Sequence, residues 1–191
     1  MFSLIQGFLS YLFTKKEAQI LILGLDNAGK TTTLEQIKAI YKKTNPMPFE
    51  KIPPTIGLNI GRIELNNVKA IFWDLGGQSS FRVIWDKYYS EAHGLIYVVD
   101  SSDEARLQEA VSTFAGLIKH TDLSNIPVLI MANKQDLDGA CSIEKIEEIF
   151  DVKMILRKRP CYVQLCSAYT REGIEDGMNY LMEKVKSVER S

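Results

Sequence analysis

The chain is short of everything that would brace or charge it from outside. Its three cysteines, Cys141, Cys161 and Cys166, are odd in number and fit no metal-ligand spacing. That argues against a disulfide scaffold or zinc site and for a reducing, cytosolic setting. The two histidines, His93 and His120, lie too far apart for a local metal motif. A formal net charge of -1 leaves no electrostatic footprint for nucleic acid. The apolar stretch at residues 1–16 is too short to cross a bilayer. There is no internal repeat and no linker. What remains is 191 residues with 46% hydrophobic and 25% charged content, enough for one ordinary globular domain that buries roughly 70% of its unfolded surface.

Within that domain one segment stands out. Gly24-Leu25-Asp26-Asn27-Ala28-Gly29-Lys30-Thr31 fits the phosphate-loop pattern G-x-x-x-x-G-K-[ST]. The apolar run Gln19–Leu23 before it reads as a buried parallel strand, and Leu34, Ile37 and Tyr41 after it fall at helical spacing. Such a loop between strand and helix turns backbone N–H groups around phosphate oxygens, and the helix N-terminus adds partial positive charge. Lys30 is placed for the β- and γ-phosphates, and the Thr31 hydroxyl, with Thr32 next to it, for phosphate and Mg²⁺.

The base is addressed by Asn133-Lys134-Gln135-Asp136, which follows the apolar strand Val128–Ala132. Guanine presents N1–H and a 2-amino group that the Asp136 carboxylate accepts as a fork. Adenine presents a lone pair at N1, which leaves a buried carboxylate unpaired at a cost of about 1–3 kcal/mol or more. Asn133 is assigned to the N7 side and the Lys134 stem to one ring face. The segment Cys166-Ser167-Ala168 ends another strand, where the Ala168 N–H can reach guanine O6. Asp74 in Asp74-Leu75-Gly76-Gly77-Gln78 suits a carboxylate that holds Mg²⁺ through water. Gly77 gives its N–H to the γ-phosphate, where a side chain would collide, and Gln78 orients the attacking water. Thr55 follows a loop with four of the six prolines (Pro46, Pro48, Pro53, Pro54), which preclude a regular helix or central strand. A loop of that length in a compact domain is usually functional or disordered.

Taken together, GLDNAGKTT, PTIGLNIG, WDLGGQ, NKQD and CSA resemble the Arf and Arf-like family of small GTPases, over essentially the whole chain. Asp26 in the phosphate loop and Trp73 before Asp74 match the Arf type rather than the Ras type. The resemblance implies an α/β fold of the P-loop NTPase class. Alternating strands and helices point the same way, to a six-stranded, mostly parallel sheet with helices on both faces. Leu58–Leu65 and Val68–Trp73, joined at Asn66-Asn67, read as a hairpin that supplies one antiparallel edge strand. The expected core stripes are Leu107, Ala110, Val111, Phe114, Leu117 and Ile118; then Ile143, Ile146 and Phe150; then Ile174, Met178, Leu181, Val185 and Val188.

The family resemblance further implies a GTP/GDP switch whose GTP form binds membranes and recruits effectors in Golgi and vesicle trafficking. It implies an exchange factor, an activating protein and effectors as partners, and a place in the cytoplasm and on the cytosolic face of Golgi membranes. Leu58, Trp73 and Tyr88 are assigned to an effector surface; the alternative for Trp73 is buried core. Two other readings share the phosphate loop. A small-molecule kinase would not need the Asn133–Asp136 segment, and a GTP-binding scaffold with negligible turnover would not need Gln78. No Arg beside Thr55 serves as a finger in cis, so turnover without an activating protein is expected to be slow. Arg82 reads as facing partners or solvent, Cys166 as a packing residue or redox site, and Arg157-Lys158-Arg159 as a solvated loop or a lipid contact.

Residues 1–16 read as an amphipathic helix ahead of a GTPase domain at 17–191. Ser3, Gln6, Ser10 and Thr14 share one face, and Phe2, Ile5, Phe8, Leu9, Leu12 and Phe13 cover the rest. Six such groups stake at most about 9–18 kcal/mol on burial. The helix therefore docks on the core or, when released, enters a membrane or a partner's groove. Phe2 in place of Gly removes N-myristoylation, and Val188–Ser191 carries no prenylation motif. The Met-Phe start and Leu58 resemble the Arf-related protein branch, which implies an acetylated N-terminus and a Golgi membrane receptor.

Overall fold

Strand β1 (Lys16–Leu23) shows how a period of two builds two cores at once. In the computed structural model, which describes residues 16–65 and 68–187, its Leu21 and Leu23 face one side of the sheet while Ile20 and Ile22 face the other, all fully buried. Strands β4 (Gly94–Asp100) and β5 (Val128–Asn133) repeat the alternation with Leu95, Tyr97, Val99 against Ile96, Val98, and Val128, Ile130 against Leu129, Met131. Strands buried on both faces need helices on both faces.

Helices α1 (Lys30–Lys42) and α6 (Ile174–Ser187) cover one side, with Leu34 and Ile37 meeting Met178 and Leu181 in one cluster. Helix α3 (Glu104–Leu117), with α4 (Ile143–Ile149) and α5 (Val152–Leu156), covers the other through Leu107, Phe114, Ile146 and Ile155. Tyr97 anchors that side: its ring lies 4.9 Å from Phe114, and its hydroxyl donates to Ala110 O at 2.9 Å. Each large side chain buried in this way contributes about 1.5–3 kcal/mol. The caps agree with the boundaries. Asp103 accepts from Arg106 N at the start of α3, and Ser142 from Lys145 N at the start of α4.

The strand order is β2-β3-β1-β4-β5-β6, with β2 (Leu58–Leu65), β3 (Val68–Leu75) and β6 (Cys161–Leu165). All pairs are parallel except β2 with β3, which run antiparallel in register from Leu58↔Leu75 to Leu65↔Val68. This is the expected six-stranded sheet with one antiparallel edge strand. Single helical turns sit at α2 (Ser79–Arg82) and in the 3₁₀ segments Phe49–Lys51 and Thr121–Leu123, and a longer 3₁₀ segment spans Trp85–Glu91. Four prolines thus still allow one turn at Phe49–Lys51.

Three details differ from the sequence expectation. Lys16, placed in the N-terminal segment, is the first residue of β1. Residues 152–156, for which no element was expected, form α5. In Arg157-Lys158-Arg159 only the first two are exposed; Arg159 is buried and donates to the Leu123 and Ile118 carbonyls. It caps loose backbone and is not placed to touch lipid. The expected amphipathic helix, the Asn66-Asn67 turn, Val188 and the C-terminal tail lie outside the described residues.

Candidate functional site

Because β1, β3, β5 and β6 end along one edge of the sheet, the loops that follow them converge there, where open α/β sheets bind ligands. The loop after β1 runs into α1 through Gly29, whose φ of +93° only glycine adopts readily. A Cβ there would also stand 2.3 Å from Asn133 Nδ2. A cleft of about 400 Å³ opens along this edge, within the size range of small-ligand sites. It is lined by Asp26, Asn27, Gly29, Lys30, Thr31 and Thr32 from the first loop, Ile52–Thr55, Gly77, Gln78 and Lys134.

The phosphate end is built on buried charge. Lys30 is 6% exposed and donates to Leu25 O at 2.7 Å. Burial pulls its ammonium down to about 8, against the opposing attraction of Asp74. Thr31 Oγ1 donates to Asp74 Oδ2 at 2.7 Å, and Thr55 Oγ1 stands 2.6 Å from Thr31 Oγ1 and 3.3 Å from Asp74 Oδ2. Burial raises the Asp74 carboxyl, against the Thr31 hydrogen bond and the Lys30 charge. Its second oxygen, Oδ1, is buried with no hydrogen-bond partner among the described residues. Two hydroxyls and a half-satisfied carboxylate form an all-oxygen donor set, which fits Mg²⁺. Asn59, which faces Asp74 in the β2–β3 register, also donates to Oδ2 at 3.3 Å. Sequence reading missed it; the hairpin register was the available signal.

The base end is a closed bracket. Asn133 is 2% exposed; its Nδ2 donates to Ala28 O at 2.9 Å and its Oδ1 accepts from Ala168 N at 2.8 Å. One amide hydrogen of Asn133 and the Ala168 N–H, both assigned to guanine from the sequence, are therefore engaged in tying three loops together. Ser167 Oγ donates to Asp136 and accepts from Tyr169 N and Thr170 N, which fixes the carboxylate. Lys134, with a left-handed φ of +68°, pairs its ammonium with Asp100 at 2.6 Å, so its stem lies along the cleft. Burial works against the Asp100 anion, but the hydrogen bonds from Lys134 and Ser102 and the Lys134 charge together leave that carboxyl lowered.

The Asp74–Gln78 loop departs from expectation in two respects. A Cβ on Gly77 would stand 2.4 Å from Asp26 N and Leu25 C, so the immediate reason for glycine is the phosphate-loop backbone itself. Arg82, expected at partners or solvent, is half-buried and held by the protein itself. Its Nε donates to Gly77 O and its Nη2 to Glu109, both at 2.8 Å. Glu109 shares Arg106, which grips Asp26 through Oδ1 at 2.7 Å and its carbonyl at 3.1 Å. Burial pushes the Asp26 carboxyl up, yet the Arg106 hydrogen bond and charge leave it lowered overall. Trp85, another residue with no local signal, is buried and donates its indole N–H to Gly76 O at 3.0 Å. Gln78 itself is exposed at the cleft.

Leu58, Trp73 and Tyr88 are each half-buried. Trp73 meets Tyr88 edge-on at 5.4 Å, all three pack on the core, and Trp73 pairs in register with the exposed Ile60. Trp73 thus has one side on the core and the other at the surface. Cys166 is buried and its thiol is pushed up to about 12 by burial, the environment of a packing residue.

A phosphate loop, a guanine-type N-K-x-D bracket and an Asp-x-x-Gly loop on this sheet define a small GTPase. The chain belongs to the ADP-ribosylation factor family, whose family model matches residues 5–185. It is 45% identical to human ADP-ribosylation factor-related protein 1, over 97% of this chain and 93% of that protein. It is 38% identical to ADP-ribosylation factor-like protein 3 of Saccharomyces cerevisiae, over 100% of this chain and 97% of that one. Among solved structures it is similar to the Arl6 BBS3 small GTPase of Trypanosoma brucei with bound nucleotide analogue GppNp. That match has a TM-score of 0.79 at 30% identity, covering 90% of this chain and 99% of that one.

Proposed function

We propose that this GTPase is a membrane-directed switch whose GTP form recruits effectors in Golgi and vesicle trafficking. The observation that carries the switch is the meeting of Thr31, Thr55 and Asp74. Thr55 reaches that cluster from a proline-rich loop 24 residues away, within 2.6 Å of the Thr31 hydroxyl. A loop held at the phosphate end by one side chain is the kind of segment that hydrolysis releases.

Bound there, Mg²⁺ would supply positive charge to the phosphates, held by Thr31 and Thr55, with Asp74 acting through water. Lys30 and the loop amides from Asn27 to Thr32 neutralise charge on the transferring group. Gln78, exposed at the cleft mouth, orients the water that attacks the γ-phosphate. Asp136 reads the guanine edge, Asn133 and Ala168 shape the pocket around it, and Lys134 covers a ring face. Without a cis arginine at Thr55, rapid turnover waits for an activating protein. Leu58, Trp73 and Tyr88, with the exposed Ile60, form the effector surface.

The membrane half rests on residues 1–15: an exchange factor loads GTP, and the apolar face of that segment enters lipid or a Golgi receptor. Among the described residues no helix is long and apolar enough to cross a membrane. Two measurements test the proposal. Chromatography of nucleotide released on denaturation should show guanosine di- or triphosphate at one per chain. Flotation with liposomes or Golgi membranes should favour the GTP-loaded form. Equal flotation of both forms would remove the membrane switch and leave the GTPase; bound GTP without turnover would point to a scaffold.

A further inference from the structure

The loop from Lys43 to Gly57 has two fastenings, and only one was expected. At its C-terminal end Thr55 joins Thr31 and Asp74, and Gly57 O accepts from Gly76 N at 2.9 Å. Near its middle Phe49 lies against Tyr169, ring centroids 5.0 Å apart and planes tilted by 31°. Tyr169 directly follows Ala168, and its amide is held by Ser167, the residue that fixes Asp136. One ring therefore belongs to the base-selecting bracket and the other to the loop that carries Thr55. Ile52, Pro53 and Pro54 line the cleft between the two fastenings. Prolines fix φ, so the span between the fastenings is stiff and pivots on one of them when the other opens.

We infer that Phe49 and Tyr169 form an aromatic latch that closes this strap across the cleft and sets the rate at which guanine nucleotide leaves. Tyr169 is 66% exposed, so the pair is not core; it can open without unfolding the domain. The latch links the two ends of the nucleotide site: when the rings part, the strap lifts from the base side while Thr55 still holds the phosphate side. The inference rests on the reading of the cleft as a guanine nucleotide site.

An aromatic pair of this kind is worth about a twofold to tenfold change in a rate it controls. Full-length protein loaded with fluorescent GDP, chased with excess GDP, gives the release rate directly. Phe49→Ala and Tyr169→Ala should each speed release about threefold to tenfold. The double variant should do little more than either alone, because both remove one shared contact. Tyr169→Phe, which keeps the ring, should release at the parent rate, an outcome that loss of general packing would not produce. Release within twofold of the parent in both alanine variants, each carrying guanine nucleotide at one per chain, would overturn the latch. So would fully additive effects in the double variant. A parent protein that carries no guanine nucleotide would instead bring down the site reading beneath it.

Discussion

The two ends of the cleft are built to different standards. At the base end Asn133 closes β5, while Asp136, Ser167 and Ala168 sit on short loops directly after β5 and β6, and Asn133, Ser167 and Ala168 are almost fully buried. Their hydrogen bonds close on one another. At the phosphate end the floor, Lys30, Asp74 and Gly77, is buried, but Gln78 is exposed and Thr55 arrives on a long loop. Buried, mutually satisfied polar groups are rigid because no water replaces a broken partner. Exposed segments with few fastenings open at low free energy. The difference separates what the molecule must hold constant, the identity of the base, from what it must change.

The largest effect is expected from breaking the rigid end. Asp136→Asn removes two charge-assisted hydrogen bonds of about 1.5–3 kcal/mol each, so GDP affinity should fall about 10²–10⁴-fold by calorimetry. A change below tenfold would mean that Asp136 does not read the guanine edge. Gln78→Leu works at the opposite end: stimulated single-turnover hydrolysis should fall about 10²–10³-fold while GDP affinity stays within a few-fold. Parent-rate hydrolysis in the presence of an activating extract would remove Gln78 from its role. Arg82→Ala should loosen only the Asp-x-x-Gly loop. Losing the Gly77 hydrogen bond is worth about 1 kcal/mol, seen as roughly fivefold faster amide exchange at residues 76–84 with little change near Asn133.

The smallest effect is expected at the buried thiols. Cys161 and Cys166 are both pushed up to about 12 by burial. At pH 8 neither should be alkylated by iodoacetamide in the native protein within the time that denatured protein reacts fully. The sign of the linkage is also set. The folded state holds these protons more tightly than the unfolded chain, so their contribution to stability is lost as pH rises from about 9 through 12. Rapid native labelling of Cys166 would show that the wall beside Asn133 opens and that the base end is not the rigid one.

Much of this site was legible in the sequence because each motif lies next to a strand whose apolar run announces it. The β1 loop, Asp74, Asn133–Asp136 and Cys166–Ala168 all follow such runs, and a parallel sheet brings strand ends together by construction. The two antiparallel strands were legible for the same reason. The contacts between motifs were not. Arg82 with Gly77 and Glu109, Arg106 with Asp26, Trp85 with Gly76, and Phe49 with Tyr169 join residues up to 120 positions apart. No periodicity marks them. An arginine looks solvated in sequence until tertiary structure places carbonyls or a carboxylate around it, as happens to Arg82 and to Arg159. Asn133 has a second part that its motif did not announce: it braces the Ala28 and Ala168 backbone.

The position of the two indoles has a practical consequence. The chain has two tryptophans: Trp73 lies edge-on to Tyr88, and Trp85 is tethered to the Gly76 carbonyl. Both flank the segment that must rearrange when the terminal phosphate departs, and none is elsewhere to dilute the signal. Ultraviolet emission of the unlabelled protein is therefore a built-in reporter, able to follow loading and discharge in real time without dye or tag.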